Sequence, residues 1–265
     1  MTREDVAFEL RKLGVREGEV VLVHTSLSSF GHVEGGADAV IDALLDAVGP
    51  QGTVMVPTHT WSSVNAKCPL FDVRRSPSVV GRVTELFRHR PDALRSLHPT
   101  HSCGAIGPEA EAMLRDHETQ ITPCGRKSPY QRLMDGGGKI LFLGVTLVVN
   151  TSYHALEEMA NVPYLFRDFQ MLYTVDYEGN RRAVPSRRHH GGPRDYPGTE
   201  PILERAGALV KGCIGDADVR VVDAAGMEAA IMPLLAENPF LLYRQDVQEH
   251  FRARWQSETE GPRWR

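Results

Sequence analysis

His154 and Glu157 follow the run GGKILFLGVTLVVNTSY, and residues three apart on a helix share a face, so an imidazole and a carboxylate can serve one substrate. Asn150 or Thr151 is placed to cap that helix, which puts His154 in its first turn. There the helix dipole opposes a charged imidazole while Glu157 favours it, and a histidine balanced in this way can accept a proton from an amine or alcohol. The same pair read without function is a helix histidine bonded to its own carboxylate. No HExxH or HxxEH pattern provides zinc ligands.

Three further clusters carry chemistry-bearing side chains. His24-Thr25-Ser26-Leu27-Ser28-Ser29-Phe30-Gly31 runs through Glu34-Gly35-Gly36 into a helix, and hydroxyls and free amides ahead of a helix suit phosphate oxygens. It matches neither a Walker loop nor GxGxxG, and a solvated serine-rich turn would read alike. In Arg95-Ser96-Leu97-His98-Pro99-Thr100-His101-Ser102, proline restricts His98 to extended backbone, which positions its side chain for function or for loop structure equally. Cys124 lies close to Arg126 and Lys127, cations that can lower a thiol pKa, although a lone cysteine also serves as a small packing residue.

The elements that must hold these residues are visible as alternation. EVVLVHTS, ADAVIDALLDAV, GTVMVPT, VVGRVTELFRH and KILFLG pass from β-branched run to helical pattern and back, which predicts an α/β fold with a mixed, largely parallel central sheet flanked by helices. QMLYTVDYEGNRRAVP reads as two strands joined at Glu178-Gly179-Asn180 and is expected to make that sheet mixed. The chain shows no internal repeat or linker and is read as one domain over 1–265, with a polar tail from about 255. Trp61–Pro69, Arg187–Pro197 and that tail are expected to be the least ordered segments.

Composition narrows the function. With 265 residues, 42% of them hydrophobic, the chain can bury a large core. A charged fraction of 24% and a net charge of −4 give no basic field for nucleic acid. No signal-peptide core and no run of about 18 apolar residues occurs, so a cytoplasmic protein is expected. Cys68, Cys103, Cys124 and Cys213 are scattered without a CxxC pair, which implies reduced thiols and no structural metal. A homodimer is left open, since no heptad or long apolar stripe argues for it.

In order along the chain, VLVHTSLSSFG, GTVMVPTHTW, RSLHPTHS with IGPEAE, KSPYQRL, GGKILFLGVTLVVNTSYHALEEMANVPY and GDADVRVVDAAGM resemble the aminoglycoside 3-N-acetyltransferase family. The resemblance implies a fold distinct from GNAT acetyltransferases, acetyl-CoA as donor and an amine as acceptor. The family's TxxHxxE pattern falls on Thr151, His154 and Glu157, implying His154 as base and Glu157 as its orienting partner. His98 and Ser102 match its HPxxS loop beside the acyl site. For CoA the resemblance points to His24, Thr25, Ser26, Ser29, Phe30 and Gly31, with Thr58 and Ser102.

A polycationic acceptor should favour carboxylates, for which Glu157, Glu158, Asp168 and Asp72 are candidates. Opposing it is the basic segment Arg181–His190, which would repel a polycation if it faced the acceptor and otherwise reads as a solvated face. The resemblance brings His189 or His190 toward the acceptor. Three functions are consistent with these residues: an aminoglycoside resistance enzyme, an N-acetyltransferase for another small amine, anionic ones included, and a silent CoA-binding protein.

Overall fold

The structure, a computed structural model, describes residues 1–249 and 252–253. The polar tail read from the sequence thus lies outside the described residues. The chain runs through helix Arg3–Lys12 (α1), strand Val20–Thr25 (β1), helix Gly36–Val48 (α2), strands Thr53–Pro57 (β2) and Leu70–Asp72 (β3), and helix Arg82–Phe87 (α3). Strands Leu94–Arg95 (β4) and Cys103–Ile106 (β5) follow, then helices Ala110–Leu114 (α4) and Pro129–Asp135 (α5). Next come strand Lys139–Leu143 (β6), helix Ser152–Met159 (α6), and strands Phe166–Val175 (β7) and Arg181–His189 (β8). Helix Glu200–Arg205 (α7), strands Leu209–Ile214 (β9) and Ala217–Asp223 (β10), and helix Ala224–Glu237 (α8) complete the order.

The central sheet has the order β4-β5-β2-β1-β6-β10-β9. Its middle strands β2, β1 and β6 pair in parallel, while β5 and β10 run against their neighbours, so five of the seven strands share one direction. The middle strands carry unbroken apolar runs, residues 20–23, 54–57 and 140–143, because both faces are covered. Val21 and Val23 of β1, Val54 and Val56 of β2, and Leu141 and Leu143 of β6 join one core with α1, α2 and α3. Leu22, Met55, Ile140 and Phe142, one residue out of phase, join the other with α4, α5, α6 and α8.

The predicted hairpin exists but does not enter this sheet. β7 and β8 pair antiparallel, with β3 parallel to β7, in a separate three-stranded sheet over a small core of Val64, Phe71, Val73 and Leu172. Its turn is fastened by Asp176, whose Oδ1 accepts from the amides of Glu178 and Asn180 at 3.1 and 2.8 Å. The hairpin's length matters more than its turn, because the far end of β8 delivers His189 to the start of α6.

At the end of β6 a close approach requires glycine. Gly144 has φ 68°, and a Cβ there would sit 2.2 Å from Ser29 Cβ. That contact fastens the loop after β1 to the loop before α6, with Ser29 Oγ donating to Gly144 O at 3.0 Å.

Candidate active site

α6 begins where Asn150 Oδ1 accepts from the Ser152 amide at 3.1 Å, and His154 occupies its first turn as the spacing predicts. His154 Nδ1 lies 2.6 Å from Glu157 Oε2. Glu157 has no exposed surface, yet its carboxyl is held below the usual carboxylate range: burial pushes it up, while the His154 hydrogen bond, the nearby Arg194 guanidinium and the Tyr164 hydroxyl outweigh that. Tyr196 OH donates to Oε2 at 3.2 Å, and Tyr164 OH and Arg194 Nε donate to Oε1 at 3.1 and 2.9 Å. With its lone pairs engaged and its charge matched, Glu157 fixes the proton of His154 on Nδ1. Nε2, on a ring that is 22% exposed, then keeps a free lone pair for a proton. This is the arrangement of a general base with an orienting carboxylate.

Arg194, Tyr164 and Tyr196 were not singled out from the sequence. Arg194 is sandwiched between the rings of Tyr164 and Tyr243, at 4.8 and 4.3 Å from their centres. It sits in the segment expected to be among the least ordered, and that segment packs Arg194 and Tyr196 into the site. Only Tyr164 fell within a motif, and nothing in GGPRDYPG marks the arginine.

His189 reaches the same place, its ring centred 4.2 Å from that of His154. His189 Nε2 is 2.7 Å from Glu158 Oε1, and burial pushes the Glu158 carboxyl up to about 7. Glu158 faces inward, its other oxygen accepting from Thr122 OH at 2.6 Å, so it offers a polycation no surface charge. His190 is exposed and turns Nδ1 to the Gly191 carbonyl, and Asp168 is exposed on β7 with no ion pair among the described residues. The arginines of β8 are largely engaged on the hairpin: Arg181 stacks on Tyr173, Arg182 pairs with Asp176, and Arg187 stacks on Phe166 and Phe169. Arg188 differs, since its Nη2 donates to Trp61 O at 2.7 Å.

His98 is fully buried, and its hydrogen bonds and ring contacts among the described residues do not include His154. Its Nδ1 accepts from the His101 amide at 3.2 Å, its ring stacks on His117 at 4.7 Å, and burial keeps it neutral. These contacts shape its loop, and His101 links it toward the site, the His101 ring lying 5.5 Å from that of His189.

The residues pointed to for CoA divide in two. Thr25, Ser26 and Gly31 line a cleft of ≈ 590 Å³ that also takes in Ser28, His32 and Arg82. His24, Phe30, Thr58 and Ser102 lie beneath the surface. His24 stacks on Phe142 with ring centres 5.2 Å apart, and burial lowers its pKa to about 3. Thr58 Oγ1 and Ser102 Oγ each accept from Arg95 Nε at 3.1 Å, inside a network where burial lowers the guanidinium to about 9. Ser29 is spent on Gly144. These five build the loop floors, while the other three line the cleft, where Ser26 Oγ lies 3.3 Å from Ser28 Oγ and the Thr25 hydroxyl is buried in its wall.

A carboxylate-held histidine beside the strand ends of an α/β sheet is an arrangement able to take a proton from a bound nucleophile. The family model described as aminoglycoside 3-N-acetyltransferase matches residues 22–236, and the chain belongs to that family, which makes it an acyltransferase. Aminoglycoside N(3)-acetyltransferase VII of Streptomyces paromomycinus is 34% identical over 84% of this chain and 88% of its own. Two solved structures share the fold. AAC-IIIb, a binary complex with CoASH, superposes with a TM-score of 0.79 at 29% identity, covering 89% of this chain and 97% of that one. A mutant of AAC(3)-IVa in complex with a gentamicin gives 0.81 at 28% identity, covering 92% and 91%. No helix among the described residues is long and apolar enough to cross a membrane.

Proposed function

We propose that this protein transfers the acetyl group of acetyl-CoA directly to the 3-amino group of an aminoglycoside, with His154 as general base. The observation that carries the reading is the fully engaged Glu157, which holds the Nδ1 proton of His154 and leaves Nε2 as the acceptor. The acceptor amine attacks the thioester carbonyl and gives a proton to Nε2. The tetrahedral oxyanion collapses, the C–S bond breaks, and CoA leaves as the thiolate, which takes up a proton. The CoA of AAC-IIIb and the gentamicin of AAC(3)-IVa support the choice of donor and acceptor. The Ser26–Gly31 cleft, with its hydroxyls and Arg82, suits the phosphates of CoA.

An acyl-enzyme on Cys124 is disfavoured. The thiol is buried, and burial together with Glu158 and Glu157 raises its pKa well above the ordinary value. The cations seen near it in sequence do not offset this.

A second reading, an amine other than an aminoglycoside, draws on the shortage of free carboxylates. Glu157 is paired, Glu158 faces inward, and Arg188 lies against the Trp61 loop. CoA release measured over aminoglycosides and small anionic amines separates the readings. Turnover with aminoglycosides, with raised resistance of bacteria expressing the protein, is expected. Turnover confined to anionic amines overturns the first reading in favour of the second.

A further inference from the structure

Cys124, Glu158 and His189 come from three segments far apart in the chain, and their ligating atoms all lie within 4.8 Å of one another. We propose that these three side chains form a binding site for Zn2+, and that an ion held there inhibits acetyl transfer. The inhibitory half rests on the function proposed above; the binding half stands without it.

The donor set argues for the ion. A thiolate with an imidazole and a carboxylate suits zinc, whereas Mg2+ and Ca2+ take oxygen ligands. Bonds of about 2.0–2.3 Å to a tetrahedral ion put ligand atoms roughly 3.3–3.8 Å apart, so the cluster closes with small side-chain movements. Three protein ligands leave the fourth position to water.

Local bonding leaves these groups available. The one hydrogen-bond partner of the Cys124 thiol among the described residues is the Thr151 carbonyl, at 3.8 Å. Glu158 is oriented by Thr122 OH at 2.6 Å and the Cys124 amide at 2.9 Å, partners that persist when the carboxylate turns to a metal. Its one ion-pair partner among the described residues is His189, and no lysine or arginine compensates it. The side chain of His189 is 95% buried, yet its Nδ1 finds no hydrogen-bond partner. A carboxyl buried away from fixed positive charge, beside a weakly held thiol and an under-satisfied imidazole, is a pocket that a dication completes.

Binding needs no redox partner. The Cys124 S–H bond is replaced by S–Zn, the Glu158 carboxyl gives up any proton it carries, and both protons go to solvent. His189 exchanges its bond to Glu158 for one to the ion. The consequence falls on His154, whose ring is centred 4.2 Å from that of His189. A dication beside it opposes the imidazolium that proton abstraction creates.

The test uses the full chain with the exposed Cys68 and Cys213 replaced by serine, stripped with chelator, with and without Cys124→Ser. Zn2+ binding is read by equilibrium dialysis, and Co2+ by the near-ultraviolet thiolate charge-transfer band. The expected result is one equivalent of Zn2+, a thiolate band with Co2+, and inhibition that EDTA reverses. Cys124→Ser should lose the band, weaken Zn2+ binding by about 10-fold or more, and escape inhibition with its metal-free turnover unchanged. Absence of the band, or equal Zn2+ binding by Cys124→Ser, overturns the site. Binding that leaves turnover untouched overturns the inhibition. Absence of turnover in the metal-free protein is instead a failure of the proposed function, and dialysis with the cobalt spectrum still decides the site.

Discussion

His154→Ala is expected to lower kcat for acetyl transfer by about 100-fold or more, the scale of a lost general base. The affinity for CoA should stay as it is, because the Ser26–Gly31 cleft contains no part of His154. The variant should also fold, since the ring is partly exposed and Glu157 keeps Arg194, Tyr164 and Tyr196 as partners. Separate measurement of kcat and of CoA binding distinguishes a lost base from a collapsed site. Wild-type kcat in the variant would remove His154 from the chemistry.

The second large effect is on stability. Arg194→Met takes from the buried Glu157 the one arginine that pairs with it among the described residues, and breaking a buried pair by removing one partner costs about 3–5 kcal/mol. The stacking of Arg194 between Tyr164 and Tyr243 is lost at the same time. The direction with pH follows from the depressed carboxyl. A group whose pKa is lower folded than unfolded stabilises the fold above its unfolded value, and that stabilisation is lost as pH falls. Without Arg194 the Glu157 pKa rises toward its unfolded value, so the variant loses less stability on acidification and its deficit against wild type narrows as pH falls. Urea unfolding from neutral to acid pH measures both effects. Arg194→Lys, which keeps a charge but not the planar fork, should fall between the two. An Arg194→Met protein as stable as wild type, with the same acid limb, would show that Arg194 does not support the dyad.

The dyad could be read from the sequence because its two members share one helix, where spacing alone sets proximity. The central strands were equally legible, since β1, β2 and β6 are buried on both faces and centred on unbroken apolar runs. What spacing does not encode is contact between distant segments. Arg194 reaches Glu157 from a loop 37 residues on, and His189 comes from the end of a hairpin. The sequence announced that hairpin but not its membership of a second sheet, because a local turn signal says nothing about which edge a strand joins. The serine-rich loop shows the same limit. The resemblance pointed to His24, Thr25, Ser26, Ser29, Phe30 and Gly31 together, and packing against Gly144 and Phe142 turns Ser29 and His24 inward and leaves Thr25, Ser26 and Gly31 at the cleft. A similar limit applies to His98, whose proline-fixed backbone was evident while its burial against His117 was not.

The measurement that bears most directly on direct transfer is a grid of initial rates in which acetyl-CoA and an aminoglycoside are varied together. The account predicts double-reciprocal lines that intersect, because amine and thioester must occupy the site together before CoA departs. Parallel lines, the sign of an acetyl group parked on the enzyme after CoA has left, would contradict it.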